Sequence, residues 1–258
     1  MTASQPSPRM IYLDILAAAM LLTRIPVEWP EGETPQTARS YWAFPIIGVG
    51  VAAPAALLAG VMLHFGLPPL AAAMLTLAGI ALLTGGLHQD GLADIADGLG
   101  GRDAADRLRV MRDSSIGTYG TLALISLSIV SIACLAAIAT SGVQAMVYAI
   151  ISAAALSRAM MAVQRHLNST PDNKGLANMT GQPSGMIAVI AVLVGLIIAV
   201  SFSGINAALL MLLFGLAVTY GLGRGLNHLI GGVNGDGLGA TQQITEMVML
   251  MILVMAAA

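Results

Sequence analysis

Seven long apolar runs alternate with polar segments along the chain, at residues 42–63, 68–87, 119–140, 143–163, 186–202, 205–222 and 242 to the C-terminus. Each is close to the roughly 20 residues a helix needs to cross a hydrocarbon core. None alternates with the period of two of a barrel strand, and lipid offers backbone N–H and C=O groups no partner, so the runs are predicted to be helices. An eighth run, 11–22, is too short to cross and carries Asp14. It is expected to be a re-entrant or interfacial helix. The pattern therefore predicts an all-α polytopic membrane helix bundle: about seven transmembrane helices plus that short N-terminal helix, in a single integral membrane domain over 1–258.

Composition strengthens this picture. With 57% hydrophobic and 9% charged residues, the chain lies outside the range of ordinary soluble domains. Seven spans and their loops exhaust 258 residues, leaving no room for a separate soluble domain. The start, MTASQPSPRM, is expected to stay in the mature chain, since it has no secretory h-region or cleavage site. The only cysteine, Cys134, allows neither an internal disulfide nor a CxxC metal site.

The net charge of -2 gives no basic field for nucleic acid, but the charges are segregated. Threading seven spans puts the N-terminus and the loops at about 88–118, 164–185 and 223–241 on one side. Ten of the eleven Lys and Arg residues fall there: Arg9, Arg24, Arg39, Arg102, Arg107, Arg109, Arg112, Arg165, Lys174 and Arg224. The turns near Gly66, Gly142 and Gly204 carry none. Positive residues in short loops are retained in the cytoplasm. The polar face is thus expected to face the cytoplasm from the inner membrane.

The polar face holds three constellations. The first is TGGLHQDGLADIADGLGGR at 84–102. If it is helical, Asp90, Asp94 and Asp97 share one face at i, i+4 and i+7. Repelling carboxylates beside a membrane call for a cation, and hard oxygen ligands suit Mg²⁺ or Mn²⁺. The plainer reading is an acidic helix end paired with Arg102, Arg107 or Arg109. The second is VMRDSSIGTYG at 110–120, where Ser114 or Ser115 either caps the next helix or helps its N-terminus and Arg112 to hold a phosphate. The third, GGVNGDGLGATQQITE at 231–246, sets Asn234 and Asp236 among glycines and takes Glu246 into the last span. Glu246 and Arg158 are either functional charges inside the membrane or snorkelling side chains. His88 adjoins the first cluster and is a candidate to bind a phosphate or hold a carboxylate. His64 stands alone at the other face, and His166 and His228 read as interfacial. No HExxH and no GxxxxGK[ST] occurs, which argues against zinc and P-loop chemistry.

These residues resemble the cobalamin synthase family, the adenosylcobinamide-GDP ribazoletransferases. The resemblance spans nearly the whole chain and rests on LLTRIPV at 21–27, FPIIGVGVA at 44–52, TGGLHQDGLADIADGLGG at 84–101, MRDSSIGTYG at 111–120 and GGVNGDGLGATQQITE at 231–246. It implies Mg²⁺-dependent transfer of a cobinamide-phosphate moiety to a hydroxyl of α-ribazole, or of its 5'-phosphate, with release of GMP. DIADGLGGR at 94–102 is also similar to the opening of the CDP-alcohol phosphotransferase signature, but Met111 and Ser115 stand where that family has Gly and Asp.

On this reading Asp90, Asp94 and Asp97 are the metal candidates, and Asp236 or Asp113 the general base. Arg24, Arg112 and Arg158 are candidates to hold phosphates, with His88, Ser114 and Asn234 as further substrate contacts. The partners expected are the two small-molecule substrates and the bilayer, and a homo-oligomer is left open. The rival classes are a CDP-alcohol-type phosphotransferase and a secondary transporter. A transporter should hold its polar residues near the midplane, whereas these gather at one end.

Overall fold

In a computed structural model of the chain, residues 7–171 and 176–257 are described; Lys174 and the first residues of the Pro-rich start lie outside them. Among the described residues there is no strand. The short first helix, α1 (Pro8–Leu22), begins at Ser7, whose side chain accepts from the Met10 N–H, with Pro8 at its first position. Its Asp14 is buried because Arg39 Nε and Trp42 Nε1 donate to it at 2.8 and 2.9 Å. These two bonds pin α1 to α2 (Thr37–Ser40) and to the 3₁₀ turn Tyr41–Ala43.

The bundle proper follows as α3 (Phe44–His64), α4 (Pro69–Thr84), α5 (Leu87–Gly98), α6 (Ala104–Val110), α7 (Thr118–Ala139), α8 (Val143–Leu167), α9 (Leu176–Met179), α10 (Gly185–Ser203), α11 (Ile205–Ile230) and α12 (Gly235–Ala257). All seven apolar runs lie on helices, but six of these helices are long and apolar enough to cross alone. The exception is α4, whose 16 residues count as a seventh span only together with α5, from which a 92° bend divides it. The bend is made by Gly85 and Gly86, at φ +68° and +71°, a conformation that costs residues with a Cβ. The polar loops are also shorter than the charge pattern suggests. Helices α11 and α12 extend through most of the 223–241 segment and leave only residues 231–234 between them, and the 88–118 segment contains α5 and α6.

Helix α8 forms the axis. It is buried all round from Ala149 to Ala162, a stretch apolar except for Ser152, Ser157 and Arg158. Lipid is as apolar as leucine, so association depends on close backbone approach at small residues. A Cβ on Gly48 of α3 would lie 2.5 Å from the Ala154 carbonyl oxygen of α8, and one on Gly195 of α10 would lie 3.1 Å from Ala159. The polar segments meet at one end of this bundle. Thr37 Oγ1 donates to the Thr180 carbonyl (3.0 Å), Arg107 Nη1 to the Leu229 carbonyl (3.1 Å) and the Val233 N–H to the Ser169 carbonyl (2.8 Å).

Candidate active site

The site is built where α5 crosses the start of α12. A Cβ on Gly91 would stand 2.8 Å from the Asp236 Cα, and one on Gly239 would stand 3.2 Å from the His88 Cα. Glycine at both positions therefore lets the two helices approach within backbone contact, bringing Asp236 against the acidic face of α5. Asn234 caps α12 by accepting from the Gly237 N–H (3.0 Å), and its Nδ2 donates to Asp236 Oδ2 at 2.7 Å. One residue thus starts the helix and orients the carboxylate.

Helix α5 carries Asp90, Asp94 and Asp97 as the spacing predicts, but the three carboxylates have different surroundings. Asp97 Oδ2 accepts from the Gly117 N–H and Oδ1 from the Gly120 N–H, both at 2.8 Å. A Cβ on Gly117 would lie 2.5 Å from Asp97 Oδ1, so the carboxylate seals the N-terminus of α7 from close range. This corrects the capping expectation. Ser114 and Ser115 do not cap α7, and the amides expected to favour a phosphate already hold Asp97. Ser115 instead donates both its backbone N–H (3.0 Å) and its hydroxyl (2.5 Å) to Asp113. The hydroxyl above all, then the backbone N–H, hold the exposed Asp113 carboxyl below its ordinary range.

Two cavities open on this cluster and share Leu21, Leu87, Asp90, Met111 and Arg112. The larger, about 840 Å³, is lined by Arg24, Asp94, Asp113, Ser114 and Ser115. The smaller, about 240 Å³, is lined mainly by apolar groups, with His88, Asn234 and Asp236 among its polar ones. The candidates Asp90, Asp94, Asp113, Asp236, Arg24, Arg112, Ser114, His88 and Asn234 thus all reach one continuous site, whereas Asp97 lines neither cavity.

The carboxylates of Asp90, Asp97 and Asp236 all repel that of Asp94. Two of the arginines that could pair with this helix end are engaged elsewhere: Arg109 Nη2 with Asp106 (2.7 Å) and Arg107 Nη1 with the Leu229 carbonyl. Among the described residues no three His, Cys, Asp or Glu side chains gather into a closed cage. Mg²⁺ binds through one or two carboxylates plus substrate phosphates and keeps several waters. Asp90 and Asp94, hard oxygen donors on the wall of the larger cavity, fit such an ion. Asp97 fits less well, with both oxygens engaged.

Arg158 lies elsewhere. It is wholly buried in α8, donates from Nη1 to the Ala154 carbonyl (3.0 Å) and stands 3.5 Å from Glu246 Oε2. Its guanidinium neither lines a phosphate cavity nor snorkels, because Glu246, held also by Ser157 and Gln242, fixes it inside the bundle. Sequence reasoning passed over Tyr41 and Phe44, whose stacked rings (centroids 4.4 Å apart) line the smaller cavity. Phe44 opens the FPIIGVGVA segment at 44–52 and Tyr41 lies just before that span, but neither carries a group that marks phosphate or metal chemistry.

The model of the cobalamin-5-phosphate synthase family matches residues 14–254. The chain is 35% identical to the adenosylcobinamide-GDP ribazoletransferase of Allorhizobium ampelinum, over 95% of this chain and 98% of that one. It is 37% identical to the proteins of the same name from Azorhizobium caulinodans, covering 93% and 95% of the two chains, and from Bradyrhizobium diazoefficiens, covering 95% and 94%. No solved structure matches. A match over nearly the whole length, together with an acidic helix crossing a glycine-flanked aspartate at one end of a membrane bundle, places this chain in the cobalamin-5-phosphate synthase family.

Proposed function

We propose that the chain is a membrane-embedded adenosylcobinamide-GDP ribazoletransferase that completes the nucleotide loop of cobalamin. A ribose hydroxyl of α-ribazole, or of its 5'-phosphate, attacks the cobinamide-linked phosphorus. The new O–P bond forms as the bond to the bridging pyrophosphate oxygen breaks, and GMP leaves with that oxygen. The observation that carries the reading is the junction of two cavities at Asp90 and Arg112, which offers each of two substrates its own room and a shared wall for the reacting groups.

Such a transfer depends on positioning and on neutralising phosphate charge. Arg24 and Arg112 supply positive charge at the larger cavity, and the exposed Ser114 hydroxyl can donate there. Asp90 and Asp94 would hold Mg²⁺, which when bound neutralises charge on the pyrophosphate. Asp236 is the better proton acceptor. It lines the smaller cavity and Asn234 orients it, whereas two hydrogen bonds from Ser115 already stabilise the charged form of Asp113. Asp97 becomes a positioning residue for the 117–120 turn. The site faces the cytoplasm of the inner membrane on this reading.

The test is GMP release by the purified chain given adenosylcobinamide-GDP and α-ribazole, set against CMP release from a CDP-alcohol with a suitable acceptor. GMP release that requires both substrates supports the reading. CMP release alone, or solute uptake into proteoliposomes with neither activity, overturns it.

A further inference from the structure

The two cavities differ in chemistry, and the difference assigns the substrates. The smaller is polar at one end and apolar at the other. Asp90 and Arg112, which it shares with the larger cavity, mark its polar end, whereas Leu22, Tyr41, Phe44 and Met161 belong to it alone. At the apolar end the hydroxyl groups are already spent, since Tyr41 Oη and Thr180 Oγ1 lie 3.2 Å apart and Thr180 also donates to the Ala177 carbonyl. His88 also borders it, 1% exposed and with its buried Nε2 lacking a hydrogen-bond partner.

We infer that this cavity is the acceptor subsite, with the dimethylbenzimidazole ring of α-ribazole against the Tyr41–Phe44 wall and its ribose at the Asp90, Arg112 and Asp236 end. The inference rests on the transferase reading and adds to it the place of one substrate. Three arguments converge. The first is size: a cavity of roughly 150 Å³ accepts benzene, so about 240 Å³ has room for a bicyclic ring but not for the cobinamide donor. The second is polarity. The ring of α-ribazole has one unsubstituted nitrogen, so it asks a mostly apolar wall for a single hydrogen bond. A guanine ring would bring several donors and acceptors among apolar walls and leave most of them unsatisfied. The third is continuity. A ring seated on Phe44 points its sugar toward the wall shared with the larger cavity, where the donor's phosphates lie beside Arg24 and Arg112. The neutral base sits in the apolar room and the charged donor in the polar one.

The test separates the two substrates. Ala177 lines the smaller cavity only, so Ala177→Phe should fill it, raising KM for α-ribazole by at least about tenfold, the scale of one apolar group in a pocket. KM for adenosylcobinamide-GDP should move by less than about twofold. Equilibrium dialysis of α-ribazole on the full chain in detergent, without donor, gives a readout independent of turnover. Binding should weaken in Ala177→Phe and in the wild type resist displacement by GMP. Displacement of α-ribazole by GMP, or an Ala177→Phe protein that turns over with both KM values unchanged or moved together, overturns the assignment while leaving the transferase reading intact. A wild-type chain that releases no GMP from the two substrates overturns that reading itself.

Discussion

At the scale of single residues, four of the site's five candidate carboxylates divide by what their oxygens already hold. Asp236 is half-buried at the smaller cavity with one bond from Asn234, and if it takes the hydroxyl proton it acts chiefly in the transition state. Asp236→Asn should then lower kcat by roughly 10²–10⁴-fold, with KM for either substrate little changed and no rescue by excess Mg²⁺. Asp113→Asn should cost far less. Steady-state kinetics decide this, and wild-type kcat in Asp236→Ala would reduce the aspartate to a turn residue. Asp94 and Asp97, equivalent by spacing, separate in the same way. Asp94→Asn should lose activity that high Mg²⁺ partly restores by mass action, and EDTA should mimic it in the wild type. Asp97→Asn turns an amide donor toward an N–H donor at the start of α7, losing a charge-assisted bond worth about 1.5–3 kcal/mol. It should lower thermal stability, and Mg²⁺ should not restore it. Equal metal rescue of both mutants would make Asp97 a ligand after all.

Between elements, the close joints are backbone against backbone or charge against charge. Arg158 of α8 and Glu246 of α12 are the charged joint, with the guanidinium 1% exposed. Removing one partner of a buried pair leaves an uncompensated charge and costs about 3–5 kcal/mol, whereas replacing both with apolar residues of similar volume is often neutral. Arg158→Met and Glu246→Leu should therefore each lower the melting temperature in detergent, and the double mutant should recover most of the loss. A double mutant as unstable as the sum of the singles would mean the pair is not coupled. The limits of sequence reading lie at the same joints. Apolar length alone predicts the helices, and the ladder on α5 stands out because acids are rare in so apolar a chain. Asp236 stands out among glycines for the same reason. That Glu246 meets Arg158, or that Asp97 reaches the amides of Gly117 and Gly120, depends on how distant helices are rotated, which no local period encodes. The 92° turn at Gly85 and Gly86 was equally hidden, because paired glycines signal freedom and not the direction taken.

For the whole molecule, the governing asymmetry is between its two ends. One end gathers α1, α5, α6 and the loops that close both cavities, while the turns at Gly66, Gly142 and Gly204 offer the other end no charged side chain. A phosphate-handling site needs its arginines in water, and arginines in short segments resist translocation, so the site and the positive charge should share the cytoplasmic side. Cysteine labelling checks this in a background where Cys134, half-buried in α7, is replaced by serine. Single cysteines at the Arg107 and Arg224 positions should react with a membrane-impermeant maleimide only after the cells are opened. One at the Gly142 position should react from outside intact cells. Labelling of the Arg107 position from outside would invert the topology and place both cavities away from the cytosol that supplies a nucleotide-activated donor, which the proposed reaction could not survive.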